Sequence, residues 1–95
     1  MDVIRFRTSV RYWSPERNAG LAVADIPTEH MTALGGLKQQ RVRGMIGGAD
    51  FASNVMPAGG GRLALSVSKA MMRAAKASIG DEIEVEITSV GRIED

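Results

Sequence analysis

From Glu82 to Ile87 a carboxylate alternates with a branched aliphatic residue three times over: Glu82-Ile83-Glu84-Val85-Glu86-Ile87. Successive side chains of an extended chain point to opposite faces, so this segment specifies a strand with Ile83, Val85 and Ile87 turned to a core and the glutamates turned to water. The same period runs through residues 3–13. There Ile4, Phe6, Thr8, Val10 and Tyr12 fall on one face, and Arg5, Arg7, Ser9, Arg11 and Trp13 on the other. Strands that bury one face only suit a sheet curled onto itself, an arrangement that also removes most exposed edges.

The intervening segments are short. Ser14 to Gly20 has turn chemistry throughout, and Leu21 to Ile26 reads as a brief apolar strand. Pro27 presets φ for a helix start, predicting a two-turn helix over Thr28–Leu34 closed by Gly35-Gly36. Arg41 to Ile46 is strand-like, with Val42, Gly44 and Ile46 on one face and Arg41, Arg43 and Met45 on the other. Gly47-Gly48 is a two-residue hairpin signal, since both positions tolerate positive φ. A strand over Ala49–Met56, a turn over Pro57–Gly61 and a strand over Leu63–Val67 follow. Ser68 is suited to cap a helix over Lys69–Ser78, with Lys69, Arg73 and Lys76 exposed and Met72, Ala75 and Ile79 buried. Gly80-Asp81 turns the chain into the last strand, and residues 92–95 are expected to fray.

This order is ββαβ followed by ββαβ. At an offset of 41 positions, Gly20 aligns with Gly61, Ile26 with Val67, Met31 with Met72, Ala33 with Ala74, Val42 with Ile83 and Ile46 with Ile87. The expectation is one domain over residues 1–95 with a pseudo-repeat, 3–47 and 48–90, and a tail, 91–95. Identity between the halves is sparse, so two unrelated units sharing a pattern is the other reading. The fold expected is mainly β: a small barrel or pseudobarrel with two short helices capping its ends.

Composition narrows the chemistry. The 95 residues hold no cysteine and one histidine, excluding a disulfide framework, thiolate catalysis and multi-histidine metal sites. Twelve Lys+Arg against eleven Asp+Glu leave a net charge of +1, too little for a bulk field toward nucleic acid or an anionic membrane. That total conceals an asymmetry. Residues 1–47 hold seven basic and four acidic residues, and residues 48–95 hold five basic and seven acidic. The longest apolar stretch, Leu21-Ala22-Val23-Ala24, is far short of the roughly 20 residues a membrane span needs. No leader pattern is visible, so a cytoplasmic location is expected.

Few side chains offer chemistry. His30 falls on a predicted surface helix with no acid or nucleophile placed beside it, and reads as a solvated residue. Glu82, Glu84 and Glu86, about 6–7 Å apart along one face, suit a solvated strand face better than a metal or acid–base pair. Asp81 reads as the organiser of its turn. Gly59-Gly60-Gly61-Arg62 offers amides and a cation to an anion, yet a strand separates it from the helix that a phosphate loop requires. The methionines Met31, Met45, Met56, Met71 and Met72 read chiefly as core filler. The most suggestive set is Arg5, Arg7, Arg11, Arg41 and Arg43, all on outward faces, with Arg62 nearby in the glycine turn. Aligned on adjacent strands they make a basic stripe fit for nucleic acid or another anion. Cross-strand pairing with Glu82, Glu84 and Glu86 would neutralise it, and is the favoured reading.

The segments Ile4–Arg11, Val23–Pro27, Val42–Gly48, Phe51–Val55, Gly60–Ser68 and Ser78–Val85 resemble the family called domain of unknown function 1905. Its shared motifs are structural: the proline at position 27, the Gly47-Gly48 hairpin and the Gly80-Asp81 turn. The resemblance implies a double-split β-barrel related to swapped-hairpin transcription factors, and a bacterial, cytoplasmic origin. It implies no catalytic residue and no cofactor. The function expected is a non-catalytic binding or interaction module for a protein or small ligand, as a monomer or small homo-oligomer away from membranes. The alternatives are a nucleic-acid-binding regulator using Arg5, Arg7, Arg41 and Arg43, and an enzyme with acid–base chemistry at Asp81 or Glu82.

Overall fold

The computed structural model describes residues 3–12, 22–36 and 38–92. Among them, six strands form a closed antiparallel barrel: β1 (Ile4–Tyr12), β2 (Ala22–Ile26), β3 (Gln40–Ile46), β4 (Ala49–Gly59), β5 (Arg62–Val67) and β6 (Glu82–Arg92). One α-helix, α1 (Lys69–Ala75), lies between β5 and β6. The order around the barrel is β1-β2-β5-β4-β3-β6, so every strand is paired on both sides and no edge is left open. Alternation builds the core: Ile4, Phe6, Val10, Val42, Ile46, Ile83, Val85 and Ile87 all point inward and are buried. No helix among the described residues is long and apolar enough to cross a membrane.

Local chemistry explains the element ends. Gly47 and Gly48 take φ of +55° and +87°, the left-handed pair that a two-residue hairpin needs. The Ser68 hydroxyl accepts from the Met71 amide at 3.1 Å, and the Met71 sulfur accepts from the Ser68 amide, capping α1 from both directions. Asp81 organises its turn by accepting from the Ser78 amide at 2.8 Å.

Several expectations need correcting. The predicted helix over Thr28–Leu34 is instead a single 3-10 turn, Thr28–His30, followed by hydrogen-bonded turns to Gly36. The segment after Pro27 has no side-chain cap, whereas the equally short α1 is capped by Ser68, so tighter i→i+3 bonds prevail there. The second predicted helix stops at Ala75 because Lys76 turns left-handed at φ 56°. Its buried side chain is Met71, with Met72, Ala75 and Ile79 only half-buried against the core. Tyr12 stays exposed at the end of β1. The turn expected over Pro57–Gly61 shrinks to Gly60-Gly61, since Pro57, Ala58 and Gly59 continue β4 through a bulge. Residues Trp13 to Leu21, including the predicted Ser14–Gly20 loop, and the tail after Arg92 lie outside the described residues.

Matching details recur on opposite sides of the barrel. The strand order maps onto itself when β1, β2 and β3 are exchanged with β4, β5 and β6. Val10 faces Ala24 as Val55 faces Leu65, and Phe6 faces Val85 as Phe51 faces Gly44. Thr8 donates its hydroxyl to the Asp25 carbonyl at 2.7 Å, and Ser53 donates to the Ser66 carbonyl at 2.6 Å. The Gly36 amide donates to Met31 and the Ala77 amide to Met72, each past a left-handed residue, Gly35 or Lys76.

Candidate anion-binding face

The barrel's outer surface divides the arginines into two groups. On β1, Arg5 sits directly across from Glu86 and donates to its carboxylate at 2.7 Å. That hydrogen bond and the charge behind it raise the Arg5 pKa above its already high ordinary value. Arg7 lies 3.2 Å from Glu82. Arg11 donates two parallel bonds, 2.7 and 2.9 Å, to the Asp25 carboxylate. Those bonds hold the Asp25 carboxyl below the usual aspartate range against the opposing effect of partial burial, and Arg62 adds a smaller pull in the same direction. The expected neutralisation of the stripe by glutamates is therefore met on β1, at Glu86 and Glu82.

On β3 it is not. The favoured pairing of Arg41 and Arg43 with Glu82 and Glu84 fails, although β3 and β6 are neighbours. Their register sets Arg41 opposite Gly91 and Arg43 opposite Thr88. The Glu84 backbone carbonyl accepts from the Gly47 amide at 2.9 Å, at the far end of β3 from Arg41. Among the described residues, no carboxylate comes within ion-pair distance of Arg41 or Arg43. Both guanidinium-bearing residues stay exposed on the outward row of β3.

A cleft of about 380 Å³ opens beside them, lined by Arg41, Val42, Arg43, Ala52, Ser53, Asn54 and Val90. Asn54 pairs with Arg41 across the β3–β4 ladder, and Ala52 pairs with Arg43. The Ser53 hydroxyl is committed to the Ser66 carbonyl. The Asn54 Oδ1 atom is buried without a donor among the described residues, an arrangement that costs about 1–3 kcal/mol. Asn54 brings a side-chain amide, able to donate as well as accept, to this wall of the cleft. The charged groups in the lining are two guanidinium groups, which only donate, and the Asn54 amide can add a donor to them. Such a lining fits an anion. Three apolar residues, the buried Val42, Ala52 and the half-exposed Val90, complete it. An adjoining cleft shares Arg43 but is lined by Asp50 and Glu86, so the favourable potential ends there.

Other predicted residues take structural places. His30 is more than a solvated residue: its ring packs on Phe6 with centroids 5.7 Å apart. Pro27 precedes the 3-10 turn, and Gly80 takes φ of +95° in the turn into β6. Gly59, Gly60 and Gly61 form a hairpin tip, with Arg62 exposed at the start of β5. No three His, Asp or Glu side chains converge as a metal site among the described residues. Sequence reasoning missed Ala52, Asn54 and Val90. None carries a motif, and only the strand registers bring them to the arginines.

The family model described as "Domain of unknown function (DUF1905)" matches residues 6–87. No curated protein matches the chain.

Proposed function

We propose that this chain, which belongs to the DUF1905 family, is a non-catalytic binding module that holds an anionic ligand against β3 and β4. The observation that carries this reading is the contrast between the arginine rows: Arg5, Arg7 and Arg11 are each matched to a carboxylate, whereas Arg41 and Arg43 face a cleft that holds none among the described residues. An exposed cation with no internal partner gains most from an external anion. The non-catalytic part of the proposal is supported by the groups that acid–base chemistry would use. Asp81 is engaged in its turn and Glu82 in an ion pair with Arg7.

The same reading treats the chain as two related ββαβ units, 3–47 and 48–90, the first having kept a 3-10 turn where the second has α1. Support comes from the self-mapping strand order, the paired Thr8 and Ser53 hydrogen bonds, and the left-handed Gly35 and Lys76. The β1-to-β4 offset is 45 positions rather than 41, because Val10 to Ala24 spans four more residues than Val55 to Leu65. A bacterial, cytoplasmic setting belongs to the proposal as well.

Titration of isotope-labelled protein with tripolyphosphate at low ionic strength, followed by amide chemical shifts, tests the binding reading. Shifts should concentrate at residues 41–43 and 52–54, weaken as salt is added, and vanish in Arg41→Ala/Arg43→Ala. Shifts confined to another face, or an unaltered response in the double variant, would end it. The nucleic-acid alternative has two of its four arginines engaged, since Arg5 and Arg7 are paired with glutamates; duplex DNA whose binding requires Arg5 and Arg7 as well as Arg41 and Arg43 would favour it.

A further inference from the structure

The two matched faces of the barrel provide an internal comparison that bears on the kind of anion. With Phe6 set on Phe51 and Val10 on Val55, Ala52 of β4 stands where Arg7 stands on β1, and Asn54 where Ser9 stands. Arg41 and Arg43 of β3 stand where Glu82 and Glu84 stand on β6. On the β1–β6 face the side chains answer one another, Arg7 meeting Glu82 at 3.2 Å. On the β3–β4 face the sign of one row is reversed, but the opposing row has alanine at position 52 instead of an acid. The position of the absent counter-charge is the wall of the 380 Å³ cleft formed by Ala52.

Resting on the binding reading above, we infer that the ligand supplies this counter-charge: a small oxyanion, carboxylate or phosphate, seated over Ala52 between Arg41 and Arg43, with an apolar flank against Val90. Alternate residues on one strand face lie about 6–7 Å apart, so two long guanidinium side chains converge on one oxyanion between them. Asn54, across from Arg41, brings an amide able to add a third donor. The cleft volume is near the lower end of the roughly 300–1,000 Å³ range of small-molecule sites. A long polyanion fits less well, because past Arg43 it meets Asp50 and Glu86 in the adjoining cleft. Ala52 is the residue that keeps the site open: an acidic side chain there would recreate, with signs exchanged, the closed face of β1 and β6.

The test uses the full chain at low ionic strength with four probes: inorganic phosphate, phenyl phosphate, benzoate and a short oligothymidylate. Phenyl phosphate or benzoate should shift the amides of residues 41–43, 52–54 and 90, and comparison of the two identifies the preferred head group. Ala52→Glu should weaken that binding by at least about tenfold while melting no lower than the parent, whereas Ala52→Gln should weaken it less. Ala52→Asp repeats the charge test should the glutamate variant fail to fold. Val90→Ser should weaken phenyl phosphate more than inorganic phosphate. Unchanged binding in a folded acidic variant at position 52 overturns the proposal. Oligothymidylate binding at Arg41 and Arg43 with no response to the small probes overturns the small-oxyanion inference and leaves the anion-binding reading standing. Silence from every probe overturns both.

Discussion

Gly44 of β3 lies so close to Glu86 of β6 that a Cβ built on the glycine overlaps the Glu86 carbonyl oxygen and comes within 2.8 Å of its carbon. This close approach lies on the strand that carries Arg41 and Arg43. Gly44→Ala must push β3 and β6 apart, and should lower unfolding stability by about 1–3 kcal/mol in denaturant titration. A variant as stable as the parent would show that the seam relaxes freely.

The Arg11–Asp25 pair makes stability depend on acid. The Asp25 carboxyl titrates below its unfolded value of about 3.9, so the pair contributes fully above that pH and is lost as pH falls through the lower, folded value. Partial exposure on both sides limits the coupling to about 1 kcal/mol or less. A double-mutant cycle with Arg11→Ala and Asp25→Asn should show this coupling at pH 7 and lose it near pH 2.

Lys76 is the one non-glycine residue with positive φ among the described residues, and it ends α1 where Gly35 ends the matching turn. Lys76→Gly should raise stability by up to about 1 kcal/mol through relief of the left-handed strain. At the other end of α1, Ser68→Ala removes the cap and should cost about 1 kcal/mol. Thermal melts of both variants report the two effects with opposite sign.

Arg41 and Arg43 make no ion pair with the described carboxylates, so replacing both with glutamate should leave stability within about 0.5 kcal/mol of the parent. Adding Glu82→Arg and Glu84→Arg should bring no recovery, because the register keeps the two pairs of positions apart. A stability loss that the fourfold exchange restores would reveal coupling between those rows.

Thr8→Val and Ser53→Ala each remove one hydroxyl from a strand carbonyl, of Asp25 and of Ser66. Each should cost about 1 kcal/mol, in similar measure, since the two bonds occupy matching places. Chemical denaturation of the single variants checks this.

Much of the barrel was legible along the chain. Alternation at Ile4–Val10 and Glu82–Ile87, the glycine pair at Gly47-Gly48 and the cap at Ser68 act through neighbours a few residues away, and each formed as its local chemistry requires. The helix expected after Pro27 failed because apolar spacing does not register that the segment lacks the side-chain cap that α1 has in Ser68. The candidate site was half legible. The sequence by itself determined that Arg41 and Arg43 face outward, since β3 alternates and its other face is buried. Whether they meet Glu82 and Glu84 or an open cleft was decided only by the tertiary structure. Strand register is set by distant partners around a closed barrel, and a shift of a few residues along β6 exchanges a glutamate for Thr88 or Gly91 without altering any local pattern.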